Sequence, residues 1–286
     1  LNTDCFGKCY FCHKEGYCGS SSEYMSMDVI KECCTAAKHL NLSRIALTGG
    51  EPTIREDLIE IVKFIKKELP DCRLGITSNG YRIIPVLKET HMYIDKLNLS
   101  MSSLDSRLIK SFTGVDLKEI LPLVSRYNNI DLTVNFMVMK QNIEEIFRDI
   151  DYCLAQGYRV DLLFDLIEND VEFQRKTIIK MVEYYGLFDI EYSSTPVMSK
   201  CRNSEIQLRI KSSKLSKHLR RPVCDTCALD NECTERLCAV RVFPDGKVSA
   251  CLNQHLTSNC ISVFERIIDL YERIKVDQAT IYDGLI

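Results

Sequence analysis

Cys5, Cys9 and Cys12 form a C-x3-C-x2-C run, three thiols on eight residues of chain. That spacing does not serve ordinary disulfide chemistry. It lets three thiolates wrap three corners of a cubane iron–sulfur cluster. Such clusters are held by cysteine thiolates, usually four, so a set of three leaves one iron open to a small molecule that a low-potential cluster can reduce. Two plainer readings compete, a structural zinc site and three unrelated thiols. Zinc sites pair C-x2-C with a second C-x2-C or a His pair, and nothing local completes such a set.

About forty residues on, the apolar run Ile45-Ala46-Leu47 ends in Thr48-Gly49-Gly50-Glu51-Pro52. It reads as a buried strand closing on a glycine turn. Paired glycines let backbone approach a ligand closely, Glu51 offers an acceptor for an ammonium group, and Pro52 stiffens the exit. A triple-cysteine loop followed by Gly-Gly-Glu-Pro resembles the radical S-adenosylmethionine (SAM) superfamily. The resemblance implies a [4Fe–4S] cluster on Cys5, Cys9 and Cys12 whose open iron is chelated by SAM. It also implies that Gly49, Gly50, Glu51 and Pro52 hold the methionine part of SAM.

The elements that must position these residues alternate. Ser26 caps a helix over 27–40, strands are expected at 43–48, 74–78, 96–101, 131–139 and, as the sixth strand, 160–167, and amphipathic helices at 57–69, 143–156 and 172–185. Gly157 closes the second of those helices. Repeated βα units demand a parallel sheet with right-handed crossovers. The fold class is α/β, resembling the partial (β/α)6 TIM-like barrel of radical SAM enzymes, with function at the C-terminal strand ends. The Gly-Gly-Glu-Pro turn, Thr77-Ser78-Asn79-Gly80 and Ser100 all fall there. The alternation fades near Ser193. The division expected is a barrel over 1–192 and a cluster-binding C-terminal extension over 193–286 that lies against the barrel mouth.

The chain has 286 residues, 45% hydrophobic and 27% charged, with a net charge of −3. That balance is ordinary for a soluble globular protein and argues against broad nucleic-acid binding. No apolar run reaches the ~18 residues of a membrane span, no signal peptide is visible, and a reducing cytoplasm is the expected compartment. The abrupt start at Leu1 suggests a short upstream piece.

Of the fifteen cysteines, a second group comprises Cys224, Cys227, Cys233, Cys238 and Cys251. Asp245-Gly246 marks a hairpin that returns Cys251 toward the others. Zinc-ribbon grammar fits this group. So does an auxiliary [4Fe–4S] cluster, which extensions of radical SAM barrels commonly carry, with Cys224, Cys227 and Cys251 as ligands, Cys233 as the fourth and Cys238 as an alternate.

Taken in order, Cys9 to Gly16, Leu47 to Arg55, Asn98 to Asp105, Val134 to Asn142 and the 241–252 hairpin are similar to the GTP 3′,8-cyclase family of molybdopterin biosynthesis. That resemblance implies reductive SAM cleavage to a 5′-deoxyadenosyl radical, hydrogen abstraction from a nucleotide, and a reductant such as flavodoxin or ferredoxin. By position it places Arg55 and Arg241 on an anionic substrate, and Thr77, Ser100 and Asn135 on SAM. The departures fall on the substrate side. The family's strand lysine is Thr133 here, its Ser-Leu-Asp is Ser100-Met101-Ser102, its second cluster spacing differs, and no paired glycines end the chain. A nucleotide-like or other small anionic substrate is therefore the leading expectation. A peptide-modifying radical SAM enzyme with a twitch/SPASM-like cluster is the alternative, and a non-catalytic zinc- or iron-binding scaffold is more remote.

Overall fold

The computed structural model describes residues 1–12, 22–164, 170–186, 189–192, 196–202, 205–211, 240–251 and 257–273. Helix α1 (Met27–His39) begins where the Ser26 hydroxyl accepts the Val29 N–H. Strands β1 (Arg44–Leu47), β2 (Arg73–Ser78), β3 (Lys96–Met101), β4 (Asp131–Val138) and β5 (Arg159–Phe164) follow. Between them run α2 (Leu58–Glu68), α3 (Ile83–Thr90), α4 (Ser106–Ser111), α5 (Leu117–Val124) and α6 (Ile146–Ala155). Helix α7 (Val171–Tyr185) leads to β6 (Asp189–Tyr192), β7 (Pro196–Arg202) and β8 (Glu205–Lys211).

The sheet order is β1-β2-β3-β4-β5-β8-β7-β6. The first five strands are parallel in sequence order, and β8 joins β5 in parallel as a sixth. Strands β6 and β7 close that side antiparallel. This is the expected α/β partial-barrel topology, except that the segment read as the sixth strand is the fifth, β5, and β8 is the sixth. The sheet nevertheless runs past the division expected at 192/193, because the segment beyond it supplies the sixth parallel strand.

Alternation gives the sheet two chemically different faces. Leu97, Leu99, Val134, Phe136, Val160 and Leu162 are fully buried and belong to the main core. The opposite face carries Thr77, Asn98, Ser100, Thr133, Asn135 and Asp161, aligned across the strands by the register Thr77↔Asn98↔Thr133 and Ser100↔Asn135↔Asp161. The apolar face packs the helices, so the polar face lines the inside.

A two-stranded hairpin, β9 (Arg241–Val242) and β10 (Val248–Ser249), packs with α8 (Val263–Arg273) in a second small core. Ala36, Val248, Ala250, Val263, Ile267 and Leu270 are its buried members, and Ala36 belongs to α1. Glu32 accepts the Phe264 N–H at 3.1 Å. The described part of the extension thus docks on α1, held by the apolar stripe of α8.

Candidate active site

The cysteine loop lies across the C-terminal strand ends, and its contacts tie it to segments after β1, β2, α4 and β4. Gly50 N–H donates to Asn2 O and Glu51 N–H to Asp4 O, both at 2.7 Å, in the turn after β1. The Phe6 ring meets Tyr81, after β2, edge-on at 5.0 Å. Lys8 N–H donates to Phe112 O at 2.7 Å, at the end of α4. The Tyr10 hydroxyl donates to Gln141, after β4.

Close approach explains the two glycines, though not as the sequence suggests. A Cβ on Gly49 would fall 2.5 Å from Asn2 O, and one on Gly50 would overlap the Asp4 backbone. On that side the neighbour requiring glycine is the chain's own segment 2–4, not a ligand.

The Sγ atoms of Cys5 and Cys9 flank Gly7, where an added Cβ would lie 3.3 and 3.5 Å from them. Burial, then the charges of Cys12 and Cys5, push the Cys9 thiol up to about 12. Burial also raises Cys5, against N–H donors from Gly7 and Asn79. Thiols that oppose one another's ionisation are relieved by positive charge placed among them, so this donor set fits an iron cluster. Among the described residues no three Cys, His, Asp or Glu side chains gather around a single metal ion.

Glu51 is almost fully buried. Its Oε1 accepts Thr53 N–H at 3.1 Å, Thr53 Oγ1–H at 2.7 Å and Ser78 Oγ–H at 2.7 Å, and its Oε2 accepts Asn79 N–H at 2.7 Å. With three of these contacts on Oε1 and one on Oε2, Glu51 keeps acceptor capacity on Oε2 for a further donor. It ties the turn after β1 to the turn after β2. Burial raises its pKa while these donors oppose the rise. Pro52 is buried at the start of the short 3-10 turn that follows, Pro52–Ile54.

Arg55 is held by the protein's own groups. Its Nη1 donates to Leu1 O at 2.9 Å and Met25 O at 2.8 Å, and its Nε and Nη2 form a fork with Asp57 at 2.9 and 2.8 Å. Tyr24 covers the guanidinium at 5.6 Å. The group expected on a substrate anion instead clamps the segments on either side of the cysteine loop.

Two further buried polar residues complete the strand-end ties. Asn142 Nδ2 donates to Ser102 O and Met137 O while its Oδ1 accepts Met139 N–H. Asp149 accepts Ser103 Oγ–H and Leu104 N–H. The sequence carries a signal for Asp149: it interrupts the apolar stripe Ile146, Ile150, Cys153 of α6. No comparable pattern marks Asn142.

On the inner face Asn98 Nδ2 reaches Thr77 Oγ1 at 3.4 Å, and Ser100 and Asn135 are side by side in register. Thr133 Oγ1 and Asn135 Oδ1 are buried with no hydrogen-bond partner. A buried unsatisfied acceptor costs about 1–3 kcal/mol, so a donor group brought by a ligand would be stabilised at Asn135. That orphaned acceptor fits a hydroxyl- or ammonium-bearing cofactor.

Arg241 is half-buried in β9, opposite Ser249. Cys251 is half-buried just after β10, where Ser249 Oγ–H donates to its carbonyl at 2.8 Å. Cys260 belongs to the same unit, its carbonyl held by Arg266 Nε at 2.7 Å. Cys224, Cys227, Cys233 and Cys238 lie outside the described residues.

The model of the radical SAM superfamily matches residues 1–153, more than half of the chain. A probable GTP 3′,8-cyclase from Thermoplasma volcanium is 33% identical over 190 residues, covering 64% of this chain and 52% of that protein. One from Thermococcus kodakarensis is 34% identical over 170 residues, covering 57% and 54%. The chain thus spans about half the length of these two relatives. A third, from Sulfurisphaera tokodaii, is 27% identical over 286 residues, covering 95% and 86%. Two solved structures share the fold: SuiB of Streptococcus suis bound to its precursor peptide SuiA, and native anSMEcpe with bound AdoMet. SuiB aligns with TM-score 0.60 at 18% identity over 93% of this chain and 62% of its own. For anSMEcpe the values are 0.63 and 13%, over 94% and 78%. With a triple-cysteine loop laid over the C-terminal ends of a six-strand parallel sheet, and these matches, the chain belongs to the radical SAM superfamily and resembles its GTP 3′,8-cyclase members.

Proposed function

We propose that the protein is a radical SAM enzyme that acts on a nucleotide-like or other small anionic substrate inside the partial barrel. One observation carries this reading. The loop bearing Cys5, Cys9 and Cys12 is bonded to the strand-end segments of a sheet whose inner face is polar and holds an unsatisfied acceptor at Asn135. Cys5, Cys9 and Cys12 would hold a [4Fe–4S] cluster, with the backbone of Gly49–Glu51 and the side chains of Thr77, Ser100 and Asn135 around SAM. When bound, cluster and SAM supply a 5′-deoxyadenosyl radical able to abstract a substrate hydrogen atom.

The protein's own part is placement and exclusion. Buried ties from Glu51, Asn142 and Asp149 hold neighbouring strand-end loops in one arrangement, and on the cysteine loop Tyr10 and Phe11 pack with Phe112 while Phe6 packs on Tyr81. With Arg55 engaged elsewhere, the anion falls to Arg241 and to cations of the extension. A second [4Fe–4S] cluster on Cys224, Cys227, Cys233 and Cys251, and a flavodoxin- or ferredoxin-type reductant, belong to the same proposal.

The test is anaerobic reconstitution, followed by SAM, dithionite and candidate nucleotides or peptides, read by iron analysis and mass spectrometry. Wild type should bind about eight irons, four per cluster, and release 5′-deoxyadenosine. Replacing Cys5, Cys9 and Cys12 by Ala should remove about half the iron and all of that product. Unchanged 5′-deoxyadenosine in the triple variant would refute the radical SAM chemistry. Turnover of a peptide with no nucleotide bound would refute the substrate class.

A further inference from the structure

Asn79 is aimed at a cluster ligand by two hydrogen bonds of its own turn. Its backbone N–H is held by Glu51 Oε2 at 2.7 Å. Its Oδ1 accepts Tyr81 N–H at 2.9 Å. The next residue, Gly80, has φ +93°, a left-handed conformation that favours glycine, and a Cβ there would meet Leu117 Cδ2 at 2.7 Å. Because Oδ1 is committed as an acceptor, the orientation of the carboxamide is settled, and Nδ2–H is the end that meets Cys5 Sγ at 3.7 Å. Asn79 is buried, and Gly7 N–H brings a second donor to the same sulfur at 3.3 Å.

We propose that Asn79 is a tuning residue whose N–H···S bond to Cys5 sets the reduction potential of the cluster held by Cys5, Cys9 and Cys12. This rests on the radical SAM reading above. Hydrogen bonds to sulfur are among the determinants of cluster potential. Reduction adds negative charge that spreads onto the ligand sulfurs, and an N–H donor stabilises the more negative state. The bond therefore raises the potential, and its loss makes reduction harder. Glu51 serves the same end indirectly, by fixing the backbone that carries Asn79.

The experiment is an EPR-monitored redox titration of reconstituted protein without substrate, with iron content and melting temperature measured alongside. Asn79→Asp keeps the acceptor for Tyr81 N–H and the backbone tie to Glu51 but replaces the donor with an anionic oxygen. Asn79→Leu removes donor and acceptor together. Loss of the donor should weaken the equilibrium for reduction about tenfold, which for one electron is about 59 mV toward lower potential. Asn79→Asp should fall lowest because it adds like charge. An Asn79→Asp variant with full iron and the wild-type potential would overturn the inference. So would one that melts as wild type yet holds no cluster, since Asn79 would then serve assembly and not tuning. If Asn79→Leu unfolds, Asn79→Asp decides alone. Failure of the wild type itself to hold a cluster is a different result, and it overturns the radical SAM reading.

Discussion

Replacing Arg55 by Ala separates a clamp from a substrate ligand. The Arg55 side chain is only 4% exposed, while its partner Asp57 is about half exposed at 49%. Two contacts dominate, from a charged donor to the carbonyls of Leu1 and Met25 at 2.9 and 2.8 Å. Hydrogen bonds to charged groups contribute about 1.5–3 kcal/mol each. The Asp57 pair adds at most about 1 kcal/mol because it is partly solvated, and the Tyr24 face a similar amount. Allowing for non-additivity, Arg55→Ala should destabilise by about 3–5 kcal/mol. At about 2–4 °C per kcal/mol for a domain approaching this size, the melting temperature should fall by roughly 10 °C. Arg55→Lys keeps the charge but not the planar fork, and should recover only part of the loss. The assay is anaerobic thermal unfolding, paired with iron per chain, because freeing residues 1–4 from the turn loosens Cys5. A variant melting within about 2 °C of wild type but defective in substrate binding would refute this reasoning and return Arg55 to the substrate.

Acid titration offers an independent check on the same clamp. The Arg55 bond holds Asp57 below the usual carboxylate range, so its stabilisation is complete above the unfolded pKa of about 3.9 and is lost as pH falls through the depressed folded value. Wild type should therefore lose about 1 kcal/mol or less below about pH 4 that Asp57→Asn does not, and identical acid profiles would contradict the pairing. Alkylation of metal-free native protein should modify the exposed thiol of Cys12 before the buried thiols of the core. Cys153, pushed up to about 12, and Cys34, to about 11, both chiefly by burial, should react only on unfolding. Mass-spectrometric mapping showing early labelling of Cys153 would contradict the core packing of α6.

Features carried along the chain were legible without coordinates. The spacing of Cys5, Cys9 and Cys12, the Gly-Gly-Glu-Pro turn, and the alternation of period-2 and period-3.6 hydrophobicity are local patterns. Together they determined the partial barrel and the end of it where the chemistry belongs. Strands β2 to β5 were readable because each buries one face on helices and must alternate. What each polar side chain bonds was not readable, because that depends on which atoms of distant segments meet. Glu51 is as well suited to an ammonium group as to Ser78 and Asn79, and Arg55 suits a phosphate as well as it suits the carbonyls of Leu1 and Met25. Only the folded chain shows that Glu51 meets Ser78 and Asn79 and that Arg55 meets the carbonyls of Leu1 and Met25. Recruitment of β8 as the sixth parallel strand, beyond a point where local periodicity had faded, is likewise a property of the sheet. A strand's own sequence states that it will pair, and the free edge it finds, here that of β5, decides with what.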